Sequence, residues 1–435
     1  MRAQQRCLAG VLCCLLGGGA GAEDFIQDSR MSLRYGQSYW KENANGGVGP
    51  TRDEWVQAAQ FNFSSGWYRD VLGLDYSYGL ADALHVGSKA DSISNLRADR
   101  SVQNPHGIAK PLALYVRGRW VEEGWTLSGG VGKKSRQLEL YTDDRFTRIL
   151  PAASLGQDLG YERGGLSLNL SRIEGFSPRN ESGWSQDLRN YRGQKIDDLR
   201  IYALGYVFPD GSKLRVEHGV ARDYLRSSTV KLSRSFALAP GHDLDLQAIW
   251  GRQQDAGRLF EYSGVRGLYE AQSSHDARHL DLALNYRFSH YYLGLSWNKV
   301  RGDDFDRTFF AQDHGTWNSS AKRFYYFGLE DEALLKVASG LDFTAFGLPR
   351  LKLDAHYVFS NAARGYEDFS RSEFQSLLRY SFDGLLKGLE LAWLHTRFRT
   401  RGEPDGVLRR SISRGPAGIV SHHSERFFFN YTYRF

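Results

Sequence analysis

Apolar residues recur at every second position along this chain, in runs of about ten residues that continue almost to its end, and this pattern limits the fold more than any other feature. Leu280, Leu282, Leu284, Tyr286 and Phe288 alternate with Asp281, Ala283, Asn285 and Arg287. Leu244, Leu246, Ala248 and Trp250 alternate with Asp243, Asp245 and Gln247 in the same way, and Leu351, Leu353, Ala355 and Tyr357 with Lys352, Asp354 and His356. A period of two is that of a β-strand with unlike faces. Strands of soluble sandwiches average about 5–6 residues, whereas strands that cross a bilayer need about 9–11. The runs here have the longer length.

The connections between runs sharpen this reading. Short turns are expected near Gly66-Trp67, Glu123-Gly124, Gly164-Gly165, Pro209-Asp210-Gly211, Pro240-Gly241, Ser289-His290, Gly347-Leu348-Pro349 and Asp383-Gly384. Longer polar stretches separate them, at 41–52, 86–111, 137–151, 175–196, 252–277, 301–329, 360–371 and 400–424, with a short ninth near 225–228. Strict alternation of short and long connections is the habit of outer-membrane barrels, whose turns are periplasmic and whose loops are extracellular. Eight turns and nine loops imply an all-β, 18-stranded antiparallel transmembrane β-barrel with both termini periplasmic and the first strand starting near Asp28.

Both ends of the sequence agree. Arg2 and Arg6 precede a short apolar run, Leu8 to Leu16, and then Ala20-Gly21-Ala22, so residues 1–22 read as a cleaved signal peptide and 23–435 as one barrel domain. Cys7, Cys13 and Cys14 all lie in that leader, which excludes disulfide, thiolate-metal and cysteine-nucleophile chemistry in the mature chain. At the other end Phe427, Phe429, Tyr431, Tyr433 and Phe435 occupy alternate positions. Left in water, such a strand would invite aggregation. On a lipid face it resembles the signal by which the barrel-assembly machinery takes up its clients. No stretch of 18 apolar residues follows the leader, and mean hydropathy is negative, yet 14% of residues are aromatic. A barrel with a wet lumen and aromatic belts reconciles these properties. The formal charge of +6 falls by two with the loss of Arg2 and Arg6, and no basic cluster resembles a nucleic-acid footprint.

Catalytic and metal-binding constellations are weak, and no enzyme, cofactor or metal is expected. His422-His423 reads as a solvated pair in the last outer loop, and Asp303, Asp304 and Asp306 lack the spacing of a dedicated calcium loop. The barrel wall is more informative. Alternation turns Lys336, Lys352, His356, Arg379 and Arg426 inward on the fourteenth, fifteenth, sixteenth and eighteenth strands. A strip of cations along a narrow pore lowers the barrier to an anion. The loop 137–151, carrying Asp143, Asp144, Arg145, Arg148 and Pro151, is the candidate constriction; its mixed charges would set a transverse field against the cationic wall.

Several stretches resemble the OprD-type substrate-specific porins of the bacterial outer membrane: Tyr286, His290 and Leu293 to Asp303 with Phe305-Asp306; Asp342-Phe343 with Gly347-Leu348-Pro349; Arg148-Ile149-Leu150-Pro151 after Gly132-Lys133; and Arg426 to Tyr431. The resemblance covers nearly the whole mature chain. It implies a monomeric barrel that passes small nutrients by passive diffusion past a ladder of basic residues; the lipid-facing strands themselves fit a monomer or a loose trimer. Small carboxylates or amino-acid-like solutes are its expected cargo, and outer-membrane lipid and lipopolysaccharide its surroundings. Arg426 matches one rung of that ladder and His356 stands where the family usually has Arg. Ala338, Ala392 and Leu394 occupy positions where basic rungs are expected, and Arg145-Phe146 precede the loop motif where an acid is commoner. An outer-membrane barrel hydrolase and a non-conducting structural or adhesive barrel are the alternatives. Mass spectrometry of the protein extracted from outer membranes should find Glu23 as its first residue and no thiol to alkylate; retention of residues 1–22 would overturn the leader assignment.

Overall fold

The computed structural model describes residues 22–45, 50–98, 101–143, 148–260, 269–270, 274–305, 308–312, 327–404, 408–409 and 421–435. The leader through Gly21, and with it the three cysteines, lies outside them, as do Asp144, Arg145, Phe146 and Asp306.

Eighteen strands form the wall: β1 Arg30–Asn45, β2 Arg52–Ser64, β3 Leu72–Val86, β4 Ile108–Glu122, β5 Trp125–Lys134, β6 Ala153–Arg163, β7 Leu166–Ser177, β8 Leu199–Val207, β9 Lys213–Ala221, β10 Leu225–Ala239, β11 His242–Asp255, β12 Asp276–Phe288, β13 Tyr291–Arg301, β14 Ala333–Asp342, β15 Leu351–Asn361, β16 Tyr366–Ser381, β17 Leu389–Pro404 and β18 Ser421–Arg434. Each pairs antiparallel with its chain neighbour, and β1 closes on β18 from Ser32 opposite Arg434 to Asn45 opposite Ser421. Closure leaves no edge strand, so wall amides and carbonyls find partners within the sheet, as a hydrocarbon environment requires. A six-residue helix, Ala22–Gln27, precedes β1. Its Phe25 carbonyl accepts the amide of Gly66, which holds it at the turn end of the barrel.

The alternation is realised inside out. Leu232, Leu246, Leu282, Leu293, Val337 and Trp393 are exposed on the outer wall, while Glu217, Asp281 and Ser296 are buried on the inner one. At one end the connections are short, with Gly124, Gly164, Gly211 and Gly241 at positive φ. Asp342 caps a 3₁₀ turn over Phe343–Phe346. All eight expected turns fall at this end.

The other end departs from the sequence reading in four places. No loop exists at 225–228: the reversal is at 222–224, with Asp223 at φ 60°. The expected loop 360–371 shrinks to 362–365, β1 runs on to Asn45, and His422-His423 belong to β18 rather than to a loop. The cause is common to all four. The strands project beyond the apolar band, where both faces carry polar residues and the alternation that identified strands disappears.

Inside, the lumen is filled unevenly. Ile173 and Phe176 of β7, Leu199 and Ile201 of β8, Ile249 of β11 and Val300 of β13 form one apolar cluster with Leu140, Tyr141, Phe305, Phe309 and Phe310, which reach in from loops. Gly219 and Gly251 make room for them, since a Cβ on Gly219 would meet the Phe309 ring at 2.6 Å. A smaller cluster, with Val56, Ala81, Leu96, Ile108, Leu112, Ile149 and Leu150, lies against β2 to β4. A third, of Phe327, Leu334, Val358 of β15 and Phe398 of β17, lies at the loop end, and open space is left along the rest of β16 to β18 and along β1 and β2.

At the loop end Arg371 of β16 and Glu332, just before β14, are both buried and doubly hydrogen-bonded, with Ser360 of β15 donating to the same carboxylate. Removing one member of a buried pair strands a charge and costs about 3–5 kcal/mol, whereas replacing both with apolar residues is nearly neutral. Glu332→Ala should therefore lower the urea midpoint of the refolded barrel markedly, and Glu332→Leu with Arg371→Met should restore most of it. Equal losses in the two variants would contradict this account.

Candidate functional site

A wall of eighteen strands encloses more room than its own side chains fill, so passage is governed by what narrows it. One element that enters the lumen is the β5–β6 connection, whose described residues, 135–143 and 148–152, are pinned at three points. At its root the Arg136 guanidinium donates to Asp158 of β6 at 3.0 and 2.9 Å and to the Ser154 carbonyl at 2.6 Å. Asp143 is buried there and accepts from the Arg136 amide at 2.8 Å, the Ser154 hydroxyl at 2.6 Å and the Tyr141 hydroxyl. Across the lumen the Leu140 amide donates to Glu217 of β9 at 2.9 Å, and Lys231 of β10 meets Glu139 at 2.9 Å. On the return the Ile149 amide donates to Asn95 at 3.1 Å. Leu150 fits against Gly79 of β3, where a Cβ would come within 3.0 Å of it.

Between the returning arm and the wall lies a cavity of about 720 Å³. Arg148, Ile149 and Pro151 line it from the loop; Arg34, Gln60, Leu377, Arg379, Glu390, Ala392, Phe428 and Asn430 line it from β1, β2 and β16 to β18. Three guanidiniums thus face one carboxylate. Arg34 is held by a 2.7 Å hydrogen bond to Asn430, and Arg379 by a 3.0 Å bond to Asp354 of β15.

Further toward the loop end, Trp40 of β1 collects three cations. Arg426 stacks on its indole at 3.5 Å, Arg52 at 4.7 Å and Arg148 at 4.9 Å. Glu42 binds Arg52 and accepts from the indole N–H at 3.1 Å, which offsets part of the charge. The indole quadrupole attracts each guanidinium, so Arg148 is positioned by the wall as well as by its own loop.

The structure brings together only part of the residue set read from the sequence. Arg148, Pro151 and Arg379 meet at the cavity. Lys336, Lys352, His356 and Arg426 face inward but are not among its lining. Lys352 pairs with Asp342 at 3.2 Å and His356 with Glu373 at 3.3 Å, while Arg426 is buried on Trp40. Asp143 anchors the loop from within rather than facing the channel. Asp144 and Arg145 lie outside the described residues. Arg34 and Arg52 escaped the sequence reading, although the alternation around Ser32, Gly36 and Ser38 marks Arg34 as inward. His423 turns outward on β18, where Glu425 accepts from His423 at 2.8 Å, His395 at 2.7 Å and Trp393 at 2.7 Å.

A family model described as outer membrane porin, OprD family, matches residues 23–407. Among solved structures from Pseudomonas aeruginosa, OccK9 (OpdG) superposes with a TM-score of 0.79 at 20% identity, covering 95% of this chain and 100% of that one. OpdK with vanillate gives 0.76 at 20% identity, over 94% and 100%. OccK3 (OpdO) gives 0.74 at 21% identity, over 95% and 97%. No curated protein sequence matches the chain significantly.

Burial pushes the Asp143 carboxyl up to about 6 against the hydrogen bonds that favour its charge. Its folded-state value thus lies above its unfolded one, so the folded loop holds the proton more tightly. This contribution to stability is complete below the unfolded value and is lost as pH rises through about 6. Single-channel recordings should show the open level becoming noisier between pH 5 and 7, and Asp143→Asn should flatten that dependence. An unchanged pH profile in the variant would remove Asp143 as its source.

Proposed function

We propose that this protein, which belongs to the OprD family of outer-membrane porins, passes small water-soluble solutes by passive diffusion with a preference for anions, small carboxylates in particular. The observation that carries this preference is the cavity beneath the inserted loop, lined by Arg34, Arg148 and Arg379 with Glu390 as its one acidic lining residue, while Asp354 pairs with Arg379 from outside that lining. Guanidinium groups are always charged and offer a planar pair of donors that fits a carboxylate. In a narrow, low-dielectric passage their field is focused. Ala392 and Phe428 supply an apolar flank on the same lining, suited to the carbon skeleton of an organic acid.

The same reading assigns parts to the remaining residues. Lys336, Lys352 and His356 extend the cationic side of the wall, tempered by Asp342 and Glu373, and loop residues Asp143 to Pro151 set the aperture. No step in this transport needs catalysis, a cofactor or a metal. The leader is removed after Ala22, and β18 with the Phe435 that follows it is the segment that the assembly machinery engages. Monomers suffice for conduction because each barrel holds a complete pathway, and a loose trimer would leave that pathway unaltered.

Reversal potentials in planar bilayers under a KCl gradient test the preference. The wild type should favour chloride over potassium. Two charges about 4 Å from an ion are worth about 1 kcal/mol each in water, so Arg34→Ala with Arg379→Ala should lower the anion-to-cation permeability ratio at least about fivefold. Cation selectivity in the wild type, or a reversal potential unmoved by the double substitution, would sink the anion reading.

A further inference from the structure

The outer surface of the wall carries a second charge pattern, which transport does not use. On β7, β8 and β10 to β13, the outward apolar run of each strand ends toward the loops in a cation. Leu170 is followed by Arg172, Tyr202 is preceded by Arg200, and Val230 leads through Ser228 to Arg226. Trp250 is followed by Arg252, Leu280 is preceded by Arg278, and Trp297 is followed by Lys299 and Arg301. Their chain neighbours Ile173, Ile201, Ser227, Gln253, Ala277 and Val300 are buried on the lumen side, so alternation turns the cations outward.

Strand register sets like charges face to face. Arg172 stands opposite Arg200, Arg252 opposite Arg278, and Arg278 opposite Arg301. Direct like-charge pairs weaken a sheet unless an anion bridges them. On β7 and β8 acids already do so: Asp198 lies 3.1 Å from both Arg172 and Arg200, and Glu174 lies 3.1 Å from Arg172. On β11 to β13 the balance is different. Asp276 pairs with Arg252 at 2.9 Å and Arg278 at 3.2 Å, while Arg301 makes no ion pair with a described residue. Among the described residues the Lys299 side chain donates to the Asp331 carbonyl alone, and the nearby Asp303 carboxylate receives the Asp276 amide. Four cations there share one facing carboxylate.

We propose that Arg252, Arg278, Lys299 and Arg301 form a site for the phosphate groups of lipopolysaccharide in the outer leaflet. The end of an apolar strand face, next to Trp250 and Trp297, is the depth at which lipid head groups begin. Guanidinium pairs grip phosphate in two-point fashion and would relieve the repulsion across the register. A second copy of the barrel would bring the same sign of charge to this face and is disfavoured there. Outward cations return on β17 as Arg397, Arg399 and Arg401, but register sets these opposite Phe374, Ser372 and Ser370 of β16, without the like-charge pairs of β11 to β13. A bound lipid molecule would therefore sit against β11 to β13.

Native mass spectrometry of the refolded full chain with lipid A tests the proposal. The wild type should retain lipid A, and Arg278→Gln with Arg301→Gln, which keeps the Arg252–Asp276 pair, should reduce retention at least tenfold. Chemically dephosphorylated lipid A should be retained no better than by the variant, and millimolar inorganic phosphate should not displace the intact lipid. Equal retention by the variant, or of the dephosphorylated lipid, would overturn the site. Full displacement by phosphate alone would reduce it to a small-anion site and also overturn it. The substitutions lie outside the lumen, so an unchanged single-channel conductance certifies the variant's fold.

Discussion

A peptide group in hydrocarbon must have its hydrogen bonds met by other peptide groups, because the lipid offers none. Everything else in this barrel follows from that requirement. It forces β1 onto β18, so that seventeen chain-order pairings and one closing pairing leave no strand of the wall with a free edge. It fixes side chains alternately toward lipid and toward water, which is why Leu282 is exposed and Asp281 buried. It also fixes where variation is cheap, since only the connections at the two ends escape the ladder.

Closure alone would leave an open hole. Part of that space is taken up by inward-folded segments held by buried polar bonds instead of by a continuous apolar core. Arg136, Asp143, Asp158 and Ser154 root one of them, and Glu217 and Lys231 receive it on the far side. Aromatic residues from the β13–β14 connection then fill the half of the lumen beside β7 to β13. Solute is left the other half, where the wall from β16 round to β2 presents Arg34, Arg379 and Glu390. The filling of one side therefore chooses which wall residues matter.

The sequence displayed the wall far better than the site. Strands and turns were legible because membrane crossing enforces long alternation and because turns need Gly, Pro or Asp at fixed points. The loop ends were misjudged where strands such as β16 and β18 project past the apolar band and lose their pattern. Charges could be assigned to a face but not to partners. Lys352 read as a free rung, yet register places it opposite Asp342 at the end of the preceding strand. Asp143 read as a channel acid because its loop is polar, and nothing local showed that Arg136 and Ser154 would enclose it. The three guanidiniums around Trp40 come from β2, β18 and a loop, a convergence visible only once the barrel is closed.

The crossbeam of residues 135–152 has one more consequence. Its anchors lie on strands, except for Asn95 of the β3–β4 connection, which is itself buried against Glu54 of β2 and not at an exposed tip. The parts of the protein that antibodies or bacteriophages would meet are thus mechanically separate from the parts that sort solutes. Such a barrel can change its outward appearance by mutation of those tips while its filter keeps the same dimensions and charge.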